Sequence, residues 1–186
     1  MSKDLTGAEN EALSQGFAPI LSDDVNLSAQ ILILGSMPGQ KSLQEHQYYA
    51  HPQNAFWWIM SELLKFDLKQ TYQQRVEALL NARVAVWDVL AQCSRPGSLD
   101  SNIKRASEVP NDIAGLLSKQ ATIKAVFFNG KTAGQSFWRH HRTIKESLPT
   151  LEYVDLPSTS PAYASMHRHE KMEQWRRVLE FLSPSS

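Results

Sequence analysis

The sequence has almost no cysteine, no excess of either charge and no long apolar run. Its 186 residues include one cysteine, Cys93, which excludes an internal disulfide framework and a metal site built on paired cysteines. The 19 basic residues balance the 19 acidic residues, so neutrality neither supports nor excludes nucleic-acid binding, for which a local basic patch suffices. No stretch approaches the roughly 18 apolar residues of a membrane span, and the N-terminus lacks the apolar core of a signal peptide. We therefore expect a protein of the reducing cytoplasm.

Several motifs of common enzyme classes are also missing. No G-x-S-x-G elbow of an acyl hydrolase is present. The stretch from Gly35 to Ser42 resembles a phosphate-binding Walker loop only superficially, because three residues separate its glycines and Gln40 interrupts the required Gly-Lys pair. His167 and His169 alone are a weak metal signal. We therefore expect neither a metal nor another cofactor.

Four short apolar runs, each followed by polar or Gly/Pro-rich residues, organise the chain. Short apolar runs of this kind predict buried strands of a parallel sheet, and helical periodicity between them predicts the flanking helices. We predict one α/β domain over residues 1–186, a three-layer sandwich with a four-stranded parallel sheet, preceded by a polar extension over residues 1–29. The predicted strands are Ile31–Leu34, Val84–Trp87, Ala125–Phe128 and Tyr153–Leu156, and the predicted helices are Ala55–Lys65, Thr71–Asn81, Asn111–Lys119, Lys131–His141 and Glu170–Leu182.

Each predicted strand is followed directly by a polar motif. In a parallel sheet the carboxyl ends of the strands lie on one edge, where the ligands of open α/β sheets bind. The four motifs should therefore meet at one cleft. They are Gly35–Gly39, Asp88–Asp100, Asn129–Lys131 and Ser158–Pro161.

The same motifs carry a family resemblance. The loop GSMPG from Gly35 and the run YYAHPQNAFW from Tyr48 resemble the uracil-DNA glycosylase superfamily, and are most similar to its hypoxanthine-DNA glycosylase branch. WDVLAQCSRPGSLDSNI from Trp87, FFNGKTA from Phe127 and LPSTSPA from Leu156 follow in the order of that branch. The resemblance spans about Gln30 to Leu182 and implies a metal-independent enzyme that flips a damaged base out of DNA and hydrolyses its N-glycosidic bond.

The resemblance assigns the catalytic role to Asn54. The mismatch-specific branch has a catalytic Asn at the third position of the first loop, where this chain has Met37, and a thioether can neither activate nor orient water. An Asn54 amide could hold a water below C1′ of the sugar. Asn54 also precedes a predicted helix, where asparagine commonly caps, so a purely structural role stays open.

The remaining site residues fall into a base pocket and a DNA-gripping surface. For the pocket we expect stacking on Tyr49, contacts from Asn129 to the base edge, and a supporting role for Asp88 rather than a catalytic one. For Phe56 we favour core packing, although it too is a candidate pocket wall. The pocket candidates are Gly35, Ser36, Met37, Pro38, Tyr49, Phe56 and Asn129, and the DNA-binding candidates are Lys131, Ser158, Thr159, Ser160, Pro161, Tyr163, Arg168 and Lys171.

Together these features predict a monomeric enzyme acting on damaged DNA. Tyr163 or Met166 is the candidate wedge that fills the gap left by the flipped base. By resemblance, hypoxanthine is the first expected substrate and uracil the second. Two alternatives stay open, a mismatch-specific uracil/thymine-type glycosylase and a non-catalytic binder of damaged DNA on the same fold.

Overall fold

A computed structural model of the protein describes residues 13–183, which form seven strands and seven α-helices. The strands are β1 (Leu13–Gln15), β2 (Ile31–Gly35), β3 (Val84–Asp88), β4 (Leu90–Ser94), β5 (Val109–Pro110), β6 (Ala125–Asn129) and β7 (Glu152–Leu156). The helices are α1 (Gln40–Glu45), α2 (Phe56–Leu64), α3 (Tyr72–Asn81), α4 (Ile113–Lys119), α5 (Lys131–His140), α6 (Ile144–Ser147) and α7 (Arg168–Trp175).

The central sheet is parallel, with strand order β3-β2-β6-β7. Ile31 of β2 pairs with Val84 on one side and Ala125 on the other, and the register carries on to Gly35 opposite Asp88. Strands β2, β3 and β6 are almost entirely buried, as expected when helices cover both faces of a parallel sheet. The predicted four-stranded parallel sheet is confirmed.

Side chains alternate between two hydrophobic clusters, one on each face of the sheet. Ile31 and Ile33 point into the cluster closed by α2, α3 and α7, whose large buried residues include Phe56 and Trp175. Leu32 and Leu34 point into the cluster closed by α4 and α5. The result is the predicted three-layer arrangement, because a helix layer packs on each face.

A second, small antiparallel sheet was not predicted. Strand β4 lies between β1 and β5, pairing Leu13 with Ser94 and Leu90 with Pro110. From Leu13 onward the predicted polar extension contacts the rest of the fold, because Ile20 pairs with Val86 at the edge of the main sheet and is buried. Residues 1–12 of that extension lie outside the described part of the chain.

The predicted helices all form, with shifted ends. The last is the most altered, because α7 begins at Arg168 and gives way at Arg176 to a 3₁₀ helix that ends at Phe181. Helix α1 follows the first motif loop directly and was not predicted, since its sequence QKSLQE has no apolar stripe.

Candidate active site

A cavity of about 840 Å³ opens at the carboxyl edge of the parallel sheet. All four motif loops contribute to its lining, together with the segment that precedes α2. The predicted convergence of the motifs is therefore confirmed. Residues that line it include Gly35–Gly39, Tyr49, His51, Asn54, Asp88, Ser98–Ser101, Asn129–Lys131, Pro157–Tyr163 and Met166.

The first loop is held from below by the buried guanidinium of Arg95. Its Nη1 donates to the carbonyl oxygen of Met37 at 3.3 Å and its Nη2 donates to that of Pro38. Nη1 also lies 3.5 Å from Asp100 Oδ1, and the Ser36 hydroxyl donates to Asp100 Oδ2 at 2.6 Å. Arg95 and Asp100 come from the loop after β4, within the second motif, so the second motif shapes the first.

Met37 is a core residue rather than a reacting group. Its side chain is buried and belongs to the hydrophobic cluster that contains Leu90 and Cys93. The first loop therefore offers one polar side chain, the Ser36 hydroxyl, and that hydroxyl already donates to Asp100.

Asn54 lines the cavity and also supports the start of helix α2. It lies one residue before the N-cap Ala55, and its Oδ1 accepts a hydrogen bond from the backbone N–H of Phe56 at 3.0 Å, so a structural role like the one considered from the sequence is present. Its Nδ2 makes no hydrogen bond within residues 13–183. The amide thus has two free donors and one free lone pair for a ligand in the cavity.

Tyr49 is the aromatic surface of the cavity, and Phe56 supports it. The two rings stack with centroids 4.0 Å apart at 23°. Phe56 is 0% exposed and does not line the cavity, so its placement as a wall of the base pocket is wrong and core packing is right. Tyr49 has a φ of 54°, an unusual value for an aromatic residue and one that is concentrated at functional sites.

Asn129 and Thr159 bind each other and close the side of the cavity. The Asn129 Nδ2 donates to Thr159 Oγ1 and its Oδ1 accepts from the Thr159 N–H, both at 2.9 Å. The Thr159 carbonyl in turn accepts from the N–H of Ala55 at 2.9 Å. If Asn129 read a base edge with both amide atoms, its two hydrogen bonds to Thr159 would break. Thr159 is 1% exposed, so it links the neighbouring segments and is not available to contact a phosphate. Both predicted roles are therefore corrected.

Lys171 is also a structural residue. It is 4% exposed, and its Nζ donates to the carbonyl oxygen of Tyr163 at 2.8 Å and lies 3.5 Å from that of Ser160. The prediction that Lys171 contacts phosphate is wrong, because the ammonium holds the loop 160–163 from within. That loop reaches outward, and Tyr163 is an exposed large apolar side chain at its tip.

Two of the predicted cations do lie at the surface. Lys131 is exposed, lines the cavity and begins helix α5, directly after Gly130, whose φ is 95°. Arg168 is exposed at the start of α7, with its guanidinium 4.6 Å from the centre of the Trp58 ring. The predicted basic surface therefore keeps Lys131 and Arg168 without Lys171, and of these two Lys131 lines the cavity.

The hydroxyl-rich loop keeps donors available for an anion. Ser158 Oγ accepts from the Ser160 N–H and Ser160 Oγ accepts from the Ala162 N–H, each at 3.2 Å. These turn contacts use lone pairs and leave both hydroxyl protons free, while Pro161 is exposed at the turn. Ser158, Ser160 and Pro161 stay candidates for DNA contact.

Asp88 was undervalued from the sequence. Its carboxyl, 3% exposed, lies at the cavity floor, and its buried Oδ2 accepts no hydrogen bond within the described residues. Burial, reinforced by the negative charge of Asp100 and opposed by Arg95, raises the pKa of Asp88 to about 8. A buried carboxyl with a raised pKa at the edge where a site forms is a functional signal. Of this signal, the sequence showed only the position of Asp88 at the end of a predicted buried strand.

Comparison with known proteins agrees with this geometry. The family model of the uracil DNA glycosylase superfamily matches residues 22–182. The chain belongs to the uracil DNA glycosylase superfamily. It is therefore a DNA glycosylase, a hydrolase of N-glycosyl bonds.

Individual relatives within the superfamily cover most of the chain. A protein of Methanosarcina acetivorans named hypoxanthine DNA glycosylase is 34% identical over 167 residues, which is 89% of this chain and 98% of the relative. A protein of the same name from Methanosarcina barkeri is 39% identical over 122 residues, 65% of this chain and 73% of the relative. The solution NMR structure of a Methanosarcina acetivorans protein, provisionally named a uracil DNA glycosylase, has a TM-score of 0.71 at 29% identity, covering 90% of this chain and 99% of the other.

Two further features are lacking in the described part of this glycosylase. Among residues 13–183, no cluster of three or more His, Cys, Asp or Glu side chains is placed to bind a metal ion. No helix there is long and apolar enough to cross a membrane.

Proposed function

We propose that this glycosylase removes hypoxanthine from DNA, with uracil as its second substrate, and that Asn54 orients the attacking water. The observation that carries the proposal is the Asn54 amide, which lines the cavity with free Nδ2 donors opposite a first loop whose third side chain, Met37, is buried. The name that the two Methanosarcina relatives share supports the choice of base.

The reaction follows from the groups around the cavity. The damaged nucleotide leaves the DNA stack and its base lies against the Tyr49 ring, which Phe56 holds in place. The C1′–N bond loosens toward an oxocarbenium-like sugar, as in other glycosyl transfers. Because an amide has no useful pKa, Asn54 acts by placing the water rather than by taking its proton.

Contacts to the DNA come from the rim of the cavity. Ser158 and Ser160 offer hydroxyl donors, and Lys131 and Arg168 offer charge, for phosphates that fix the position of the strand. Tyr163, exposed on the loop that Lys171 holds, is the proposed wedge that enters the gap in the stack.

The test of the activity is a panel of duplexes, each with one hypoxanthine, uracil, xanthine or T:G lesion, incubated with the protein in EDTA. Alkali or heat would then cleave at abasic sites. We expect cleavage at hypoxanthine first, and unchanged rates when EDTA is replaced by magnesium. Binding of the hypoxanthine duplex without any abasic product would instead identify a non-catalytic binder of damaged DNA.

The test of Asn54 uses a matched pair of capping variants. Asn54→Ser keeps a capping oxygen but is too short to hold the same water, so the protein should melt near wild type and react about a hundredfold more slowly. Thr71 caps α3 through a capping box, and Thr71→Ala should show the opposite pattern, a loss of about 1 kcal/mol of stability with an unchanged rate. An Asn54→Ser protein with wild-type single-turnover rates would leave Asn54 only its capping role.

A further inference from the structure

The floor of the cavity holds two buried polar groups, the carboxyl of Asp88 and the hydroxyl of Tyr49, that lack a hydrogen bond of normal geometry within the described chain. The carboxyl of Asp88 and the hydroxyl of Tyr49 meet over the Cα of Gly35. A Cβ at that position would collide with Asp88 Oδ1 and would lie 3.1 Å from the Tyr49 hydroxyl oxygen. Both Asp88 Oδ2 and the Tyr49 hydroxyl are fully enclosed. The Asn129 side chain interacts with the Tyr49 hydroxyl and partly offsets the rise in its pKa that burial causes, whereas Asp88 Oδ2 has no hydrogen-bond partner among residues 13–183.

Unpaired groups of this kind are costly, so their presence calls for an explanation. The natural counter-ion for Asp88 would be Arg95, the buried cation of the adjoining loop. That guanidinium is already bound to the carbonyl oxygens of Met37 and Pro38 and to Asp100. Asp88 is thus left without a partner, although a cation lies near.

The charged and titratable groups around Asp88 favour its neutral form. Asp100, on the loop after β4, repels a negative charge at Asp88, and Arg95 only partly offsets this effect. Tyr48 and Tyr49, from the segment before α2, offer phenols whose pKa is raised by burial and then by Asp88 itself. Both phenols therefore stay neutral, and the carboxyl is the group at this floor that can exchange a proton near neutral pH.

We infer that Asp88 is a catalytic acid that gives its proton to a ring nitrogen of the departing purine. This inference rests on the proposed hypoxanthine activity and deepens it. The hydroxyl end of the Tyr49 ring is the end that meets Asp88. A purine stacked against that ring can therefore place one edge next to the Asp88 carboxyl. Asp88 and Asn54 then act on different partners, the leaving base and the water.

The step balances without another reactant. The O–H bond of Asp88 breaks and an N–H bond forms at N7 or N3 of the purine, while the C1′–N9 electron pair goes to N9. The base departs neutral and leaves an oxocarbenium-like sugar and the Asp88 carboxylate. Water adds to C1′, and its released proton restores the carboxylic acid. One water is consumed, and the products are the free purine and the abasic sugar.

The same chemistry implies a preference for purines over uracil. Hypoxanthine has basic ring nitrogens away from the glycosidic bond, and protonating one of them improves the leaving group. Uracil has carbonyl oxygens in their place, which are much weaker bases. Protonation by Asp88 should therefore accelerate the loss of hypoxanthine far more than that of uracil.

The experiment measures single-turnover rates on hypoxanthine duplexes from pH 5 to pH 10 with the full-length protein. The wild-type rate should hold below about pH 8 and then fall tenfold for each further pH unit, as the acid loses its proton. Asp88→Asn keeps a hydrogen-bond donor but has no proton to give. This variant should react at least a hundredfold more slowly at pH 7, and its rate should not fall above pH 8. It should bind the duplex as tightly as wild type.

Substrate analogues locate the proton and separate this role from a structural one. A duplex with 7-deazahypoxanthine lacks N7 and one with 3-deazahypoxanthine lacks N3. One of the two analogues should lower the wild-type rate to that of Asp88→Asn. The same analogue should leave the rate of Asp88→Asn unchanged. Equal sensitivity of both proteins to both analogues would overturn the inference.

The outcomes also distinguish this inference from the proposed function. A wild-type protein that never releases hypoxanthine would refute both. A wild-type protein that releases hypoxanthine at a rate independent of pH up to 10, or an Asp88→Asn protein within threefold of it, would refute the acid alone. The wild-type profile needs no variant, so it decides the question even if Asp88→Asn folds poorly.

Discussion

Replacing Asp88 with asparagine should stabilise the folded protein at neutral pH, by an amount that grows with pH. In the folded chain burial, and then Asp100, raise the pKa of Asp88 from its ordinary 3.8 to about 8, and Arg95 opposes the rise. Between these two values the unfolded chain has released the proton while the folded chain keeps it. The contribution of Asp88 to the free energy of unfolding therefore falls as pH rises from about 4 to about 8, and is constant on either side.

The size of the effect follows from the same two values. Each pH unit between them removes about 1.4 kcal/mol, so the loss reaches on the order of 4 kcal/mol at pH 7. An asparagine amide has nearly the shape of the neutral carboxyl and does not titrate. Asp88→Asn and wild type should thus be similarly stable near pH 4 and differ by several kcal/mol at pH 7.

Urea unfolding followed by tryptophan fluorescence, at half-unit steps from pH 4 to pH 8, measures the difference directly. Groups that titrate alike in both proteins cancel in the subtraction. Asp23→Asn is the matched control, because Asp23 is an exposed aspartate that does not line the cavity, and the curve of this variant should run parallel to that of wild type. Parallel curves for Asp88→Asn as well would show that the buried carboxyl is ionised, and the reasoning from burial would fail.

Three other variants test the surroundings of the site. Lys131→Gln with Arg168→Gln should flatten the slope of log K against log salt on duplex DNA by about 1.8, and an unchanged slope would place the phosphate contacts elsewhere. Lys171→Met should lose about 1.5–3 kcal/mol of unfolding free energy, because its charge-assisted hydrogen bonds disappear. It should also weaken lesion binding, because the loop 160–163 that carries the proposed wedge Tyr163 becomes looser. A melting temperature equal to wild type would contradict this. Gly35→Ala should lose activity, because the added methyl group would collide with Asp88. Wild-type rates in this variant would show that the Asp88 side chain can move to make room for it.

The main sheet could be predicted because buried parallel strands must be apolar on both faces. Ile31–Leu34 and Val84–Trp87 therefore stand out in the sequence. The small sheet could not be predicted in this way. Strand β4 reads LAQCS, and it forms because β1 and β5, distant in the chain, supply its partners. Pairing of this kind overrides the weak local preference of a mixed sequence.

The loop motifs predicted where the site lies but not the role of each of its side chains. A Ser/Thr-rich loop and a run of basic residues predicted DNA contacts at Thr159 and Lys171. In the structure both turn inward, Thr159 to Asn129 and Lys171 to the carbonyl oxygen of Tyr163. Whether a polar side chain faces solvent or ties two loops together depends on the packing of distant segments, and the local sequence does not encode it.

The positions proposed for the catalytic groups follow from the lack of a free reactive side chain on the first loop. Met37 is buried in the core and the Ser36 hydroxyl is bound to Asp100, so the loop provides backbone and shape to the cavity. Asn54 can place a water but cannot exchange a proton with it. Since Asp100 is held by Ser36 and Arg95, Asp88 is the carboxyl at the floor that is free to give a proton to a ligand. The absence of a catalytic side chain at position 37 and the unpaired acid at position 88 are then two parts of one arrangement, in which the base is made a better leaving group and the water needs only to be held.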